Sequence, residues 1–431
     1  MLYYFQVTDS GKEKCKMIKI SRYILVLTGI LVASVALPSL YWTIFEKVPR
    51  SPQIFYSCVT DDFVIADGSK RKNPEGRIFT SSEYEEALPF MFFRQLMADG
   101  EMPDTIKGVK METPAISRAS SFYRFTPRKL NSPVPTLWPM FESQSGKVNL
   151  AMPDDYFRIE QTMEFIVAKT NKIDVEKSAL FTEALIKESF VLPARIIAGI
   201  PTTRKSIDEG YFVTDAEGSL FHVKMVQGQP YVVNIEMPEK LDIVYIEAVD
   251  IRSREFYCYL FTRNKGIFVV MNEVYDLQRL PIDGFNPEIH TFRLSADLFN
   301  KCITVLGENW YEAIALDDMY NVVGTQGERW ESLYERPDGK TFASIFPFEI
   351  RMKDDSSAFI RFFFKPSPGF RWLIINLLTL IAGVILILRR GWPLRLNIPD
   401  LMIIGVTGIY GLLATQFFPN KFSKVKPPAK K

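Results

Sequence analysis

The run YFVTDAEGSLFHVKM at residues 211–225 is rich in β-branched and aromatic residues on either side of a polar turn holding Gly218, the composition of a β-hairpin. The same order of strand, glycine-containing turn and second strand returns as YLFTRNKGIFVVM at residues 259–271, about 48 residues on. A looser copy, YEAIALDDMYNVVG at residues 311–324, follows about 52 residues later. Periods of roughly 40–50 residues belong to propeller blades and related radial arrays, although hairpins of any β domain imitate that spacing. Residues before 160 carry no clean copy. The expectation is a β-rich, propeller-like array over residues 206–370, preceded by an irregular α+β part over 46–205.

Apolar segments flank this domain. Residues 23–45 (YILVLTGILVASVALPSLYWTIF) hold no charge, and about 20 such residues cross a bilayer core of roughly 30 Å. Lys12, Lys14, Lys16, Lys19 and Arg22 precede them, which places residues 1–22 in the cytoplasm, and Tyr41 and Trp42 offer an aromatic anchor at the far end. Met17 is a credible alternative start, and Ser34-Val35-Ala36 resembles a cleavage site, but the apolar run outlasts a usual signal core, which favours an uncleaved anchor. Two further apolar segments, 371–388 and 401–418, are joined by a short basic loop, 389–400, with Arg389, Arg390 and Arg395. The fold class expected is therefore an α+β membrane protein with one N-terminal and two C-terminal transmembrane helices. Residues 46–370 then lie outside the cytoplasm. The tail, 419–431, objects to this scheme, because Lys421, Lys424, Lys426, Lys430 and Lys431 are a cytoplasmic signature; a re-entrant third segment or an inverted topology would accommodate it.

Small residues recur within the apolar segments at helical spacing: Gly29 and Ala33, then Asn376, Thr379 and Gly383, then Thr407, Gly411 and Thr415. Such faces pack helices closely, either within the chain or against another membrane subunit. Residues 23–45, 372–388 and 401–418 contain no Asp, Glu, Lys, Arg or His, so the sequence offers no ion or proton relay. In the large domain two amphipathic helices are expected. One has capping-box spacing at Ser82 and Glu85, a kink or later start at Pro89 and a stop at Gly100. The other starts at Asp174 as N-cap and presents Val175, Ala179, Thr182 and Ile186 on one face.

Chemistry is sparse. The charge balance of 52 Lys plus Arg against 50 Asp plus Glu offers no single-sign field for a nucleic acid, which removes that partner. There are 2 histidines, His222 and His290, and no zinc, haem, Walker or serine-hydrolase signature. No cofactor, metal or catalytic residue is expected. Cys58, Cys258 and Cys302 suggest no defined bond, and the Asp-Asp pairs at 61–62, 154–155, 317–318 and 354–355 read as turns. The most unusual segment is PARIIAGIPTTRKSIDEGYFVTDAEG, residues 193–218, where Arg204, Lys205, Asp208, Glu209 and Tyr211 either line a ligand or partner surface or cap a helix-to-sheet junction.

The N-terminal anchor, the 193–225 segment and a C-terminal apolar stretch ending GIYGLLATQFFP together resemble an uncharacterised bacterial family of membrane-anchored proteins with a domain of unknown function. The resemblance implies an inner-membrane protein working beside an ABC-type transporter, and it transfers no catalytic residue. A non-catalytic sensor or accessory subunit, in contact with lipid and with a membrane partner such as an ABC permease, is the expected function. An envelope enzyme acting on glycan or lipid through carboxylates, or a structural tether, are the alternatives.

Overall fold

Strands at the centre of the chain bury both faces, which is why they read as nearly unbroken apolar runs. Tyr211 and Val213 point one way and Phe212 the other; Tyr259 and Phe261 oppose Cys258 and Leu260. This is seen in a computed structural model that describes residues 9–45, 50–146, 149–354 and 356–421, with side chains from Met17 onward. Lys12, Lys14, Lys16, Lys424, Lys426, Lys430, Lys431 and Asp355 therefore lie outside the described side chains. The chain divides into two units, Arg50–Arg329 with Asp355–Phe359, and the remainder.

The larger unit holds four antiparallel meanders, each following the previous one along the chain. Sheet I comprises Trp138–Pro139, Asp155–Ile159, Met163–Val167 and Lys172–Asp174. Sheet II comprises Ile196–Gly199, Tyr211–Thr214, Leu220–Val226 and Gln229–Ile235. Sheet III runs from Ile243–Ala248 through Phe256–Thr262 and Ile267–Met271 to Leu277–Arg279. Sheet IV contains Thr291–Ala296, Lys301–Leu306, Trp310–Leu316 and Val322–Arg329, and takes Ser121–Phe125 as a fifth strand beside Thr291–Ala296. Sheets I and II share a core around Phe157, Phe165, Tyr211 and Phe221. Sheets II and III share one around Phe212, Leu220, Leu260 and Phe268, and sheets III and IV one around Phe125, Phe261, Phe292 and Ile303. The meanders thus stack in chain order, but they do not close into a propeller ring. A three-stranded sheet, Gln53–Ser57, Asp62–Asp67 and Lys70–Lys72, completes the larger sheets of this unit.

Helices of the domain outnumber the two expected. The first amphipathic stretch is two helices, Ser81–Ala87 and Pro89–Asp99, because Pro89 starts a new helix rather than kinking the old one. Its capping box uses Thr80 and Glu83, two residues earlier than Ser82 and Glu85. Asp174 does cap Val175–Lys187, its side chain accepting from the Lys177 N–H at 3.0 Å. The buried face of that helix is Ser178, Phe181 and Leu185; Val175 is 73% exposed and Ile186 faces outward. Shorter helices at Thr113–Ala119 and Pro337–Ile345 had no sequence signal strong enough to predict them.

Among the described residues of the smaller unit, two helices are long and apolar enough to cross a bilayer: Met17–Ile44, within a helix that begins at Asp9, and Trp372–Arg389. Residues such as Leu27, Val32, Ile374, Leu377 and Ile381 leave an exposed apolar face on each, suited to lipid. The third apolar segment is not a spanning helix. It breaks at Gly408 (φ 58°, ψ −125°) into Ile398–Thr407 and Ile409–Phe417, each only about 15 Å long. A side chain there would collide with Asn376, so the break requires glycine. The break strands carbonyls that a continuous helix would satisfy. Asn376 answers them, its Nδ2 donating to Gly405 O at 3.0 Å and Val406 O at 3.2 Å.

The two half-helices form a hairpin whose ends return to one place. Arg22 grips both: Nη1 donates to Asp400 Oδ1 at 2.9 Å, Nη2 to Asp400 Oδ2 at 2.6 Å and Nε to Phe418 O at 2.9 Å. Asn420 Nδ2 closes the same end by donating to Leu396 O at 3.1 Å. Lys421, the last described residue, therefore lies at the end that carries Arg22 and the 389–400 loop. At the opposite end of the anchor helix, Tyr41 and Trp42 are buried against Phe342, and Tyr41 Oη donates to Asp338 O at 2.7 Å. Their rings pack on protein.

Candidate functional site

Small residues of the apolar segments pack against neighbouring helices of the same chain. A Cβ added at Gly29 would lie 3.3 Å from Ala414 Cβ, and one at Gly383 would lie 2.9 Å from Ile404 Cδ1. Ala33 packs in the cluster of Ile30, Tyr410 and Ala414. Thr379, Thr407 and Thr415 turn their hydroxyls back to Asn376 O, Ile403 O and Gly411 O at 2.7–2.9 Å. The exposed faces of this bundle are instead leucine- and isoleucine-rich.

In the 193–218 segment, the structure separates residues that the sequence placed together. Arg204 is exposed. Lys205 and Asp208 form an ion pair buried to 2% and 0% side-chain exposure, with Lys205 Nζ also donating to Ile200 O at 2.8 Å and lying 4.1 Å from the Phe141 ring centre. Asp208 Oδ2 accepts from Ser143 Oγ at 2.6 Å, which ties the loop back to the connection between the first two strands of sheet I. Glu209 takes Arg254 at 2.6 Å and Lys224 at 3.5 Å. Tyr211 is fully buried and its hydroxyl donates to Pro139 O. The charges of both signs are thus largely spent on each other, around a cleft of about 340 Å³ between sheets II and III.

His222 lies at the same junction, stacked on Phe212 at 4.5 Å. Its Nε2 faces the Glu209 carbonyl, which can only accept, so Nε2 carries the proton and Nδ1 accepts from Tyr275 Oη at 2.8 Å. Burial pulls its pKa down to about 3. The folded state therefore holds the ring neutral where the unfolded chain begins to bind a proton near pH 6.5. This contribution to stability is complete above that pH and is lost as pH falls toward 3. In denaturant titrations, wild type is expected to lose about 2 kcal/mol from this group between pH 7 and 5, a slope that His222→Gln removes although it lowers stability at pH 7.

Sequence reasoning missed a cavity of about 530 Å³ in the domain. One wall is apolar and comes from Phe55, Tyr56 and the helix junction Leu88, Pro89, Phe90 and Met91. The other is the end of sheet IV where Ser121 pairs with Ala296, followed by Asp297 and Asn300. Asp297 Oδ1 accepts the N–H groups of Phe299 and Asn300 at 2.9 and 2.8 Å. Burial pushes the Asp297 carboxyl up from the ordinary range, against those two donors and the more distant Lys107 and Lys301. Cys58 and Cys302 also line the cavity; burial raises both thiols to about 12, so they remain protonated and behave as apolar wall. Cys58, Cys258 and Cys302 are all free and buried. Among the described residues no group of three or more His, Cys, Asp or Glu side chains is placed to hold a metal ion. No local motif could have revealed this cavity, since its walls join residues 53–58, 87–93, 120–122 and 295–302.

The Asp-Asp pairs are dispersed. Asp317 accepts the Met319 and Asn321 N–H groups in a hairpin turn, Asp155 holds Lys177 at 2.7 Å, and Asp61 holds Lys107 at 2.6 Å. A comparison with curated proteins finds no match. The family described as "Domain of unknown function (DUF4857)" matches residues 53–316, from the first strand of the domain to the end of the third strand of sheet IV. That match covers more than half of the chain and all four meanders apart from the outer strand of sheet IV, so the protein belongs to the DUF4857 family.

Proposed function

We propose that this chain is a non-catalytic sensor or accessory subunit of a bacterial inner-membrane complex, with the β-rich domain on the extracytoplasmic side and an ABC-type permease as its partner. The observation that carries the reading is the grip of Arg22 on Asp400 and Phe418. By bringing both ends of the Ile398–Phe417 hairpin to the start of the anchor helix, it gathers Lys19, Arg22, Arg389, Arg390, Arg395 and Lys421 toward one membrane face, the arrangement expected of a cytoplasmic surface. The objection that the lysine tail raised to this orientation disappears once the third segment is re-entrant. In the chain, residues 50–329 follow the Tyr41 end of the anchor helix, the end away from Arg22. Its stacked sheets and apolar cavity suit recognition, and no constellation of acid, base and nucleophile among the described residues competes with that reading.

The protein is expected to co-purify in mild detergent with a permease and its ATPase from native membranes, as identified by mass spectrometry of the tagged chain's eluate. Recovery of a monomer with nothing bound, and no cross-linked neighbour in intact membranes, would remove the complex from the proposal.

A further inference from the structure

The 530 Å³ cavity falls in the range of roughly 300–1,000 Å³ typical of small-molecule sites. Its two walls differ in chemistry, and the polar one is short of donors. Asp297 Oδ1 is used by two backbone N–H groups, whereas Oδ2 accepts no hydrogen bond among the described residues. Three residues on, Asn300 is 8% exposed; its Nδ2 donates to Leu316 O at 3.4 Å, while its Oδ1 is buried with no donor. Nearby cations are already committed, Lys107 to Asp61 and Lys301 to Glu255 at 3.1 Å. A buried acceptor without a partner costs free energy, and a carboxylate at the edge of an aromatic cavity repels an anion and gains little from a neutral guest. What the site lacks is an N–H-rich positive head followed by an apolar body.

We propose that this cavity binds a small amphipathic amine, its ammonium group donating to Asp297 and its aromatic or short aliphatic body lying against Phe55, Leu88, Phe90 and Phe122. The aromatic rings of Phe55, Tyr56 and Phe90, which line the cavity, add a favourable environment for a cation. The inference supplies a ligand class to the sensor reading and rests on it only for biological meaning, because binding can be measured whether or not a permease co-purifies.

The test uses the full chain in lipid nanodiscs, with phenethylamine as probe, 2-phenylethanol as its neutral counterpart and phenylacetate as its anionic one. Saturation-transfer NMR against empty nanodiscs reads binding to the protein. Phenethylamine should bind at least about tenfold more tightly than either counterpart, the value of one charge-assisted hydrogen bond. Asp297→Asn keeps an acceptor for the Phe299 and Asn300 N–H groups and should abolish that preference. Phe122 is 60% exposed, so Phe122→Ser leaves the fold intact and should weaken amine and alcohol alike. Equal binding of amine and alcohol, an unchanged amine affinity in Asp297→Asn, or an amine signal no larger than that on empty nanodiscs would overturn the proposal.

Discussion

Asp400→Ala is expected to destabilise the membrane unit by about 3–5 kcal/mol, because it strands the Arg22 guanidinium where its side chain is only 9% exposed. All three nitrogens of Arg22 are in use, two on the carboxylate and one on the carbonyl that ends the second half-helix. A lysine offers a single point charge in place of that fork, so Arg22→Lys should recover little of the loss when built as the alternative lesion. Arg22→Met with Asp400→Leu removes both charges and should restore most of it, leaving the Phe418 carbonyl as the residual cost. The measurement is loss of helicity on titration of detergent-solubilised protein with a denaturing detergent, run as a double-mutant cycle. Its topological counterpart uses single cysteines. Lys421→Cys and Arg390→Cys should react with an impermeant maleimide from the same membrane face in wild type, and labelling from opposite faces would show that the third segment crosses.

Sheets II and III were legible because burial on both faces leaves the same apolar signature twice, in strands two and three of each meander. The third copy of the repeat is shifted by one strand. Residues 311–324 fall on strands three and four of sheet IV, whose outer strand Val322–Arg329 alternates exposed and half-buried residues and mimics the earlier pattern only in outline. That sheet also takes Ser121–Phe125 as its far edge, a pairing between distant segments that no local period contains. The face of helix Val175–Lys187 was misassigned for a different reason. Valine and isoleucine at 175 and 186 look like core, yet the helix turns Ser178 inward because its hydroxyl receives the Phe165 N–H at 2.9 Å. Hydropathy likewise runs straight through Gly408, since a break costs no apolar character; the local signals were the glycine itself and Asn376 in the neighbouring segment. Asp400, the one acidic residue among the arginines of the 389–400 loop, marked the ion pair but not its partner.

Lys205→Ala is expected to cost the β-rich domain about 3–5 kcal/mol, the second large effect, because it leaves the fully buried Asp208 carboxylate with Ser143 as its remaining side-chain donor. The pair does more than neutralise itself. Lys205 reaches the Ile200 carbonyl and the Phe141 ring, Asp208 reaches Ser143, and the next residue, Glu209, uses its backbone carbonyl for His222 and its carboxylate for Arg254 and Lys224. One short loop thereby joins the connection between the first two strands of sheet I, the second and third strands of sheet II and the turn before the second strand of sheet III. Breaking it should loosen the stacking of those sheets as a unit, so amide exchange is expected to accelerate in residues 211–214 and 220–226 more than in the Trp310–Leu316 strand of sheet IV. Lys205→Met with Asp208→Leu should recover most of the stability, since the volume is retained and no charge is stranded. If the double variant is instead as unstable as Lys205→Ala, the carbonyl and hydroxyl contacts rather than the ion pair hold the junction. The magnitude also bears on the ligand reading of Lys205 and Asp208: groups buried this completely and bound to each other and to three neighbours are withheld from a guest in the adjoining 340 Å³ cleft, and the unspent Asp297 oxygen in the larger cavity becomes the better place to look for one.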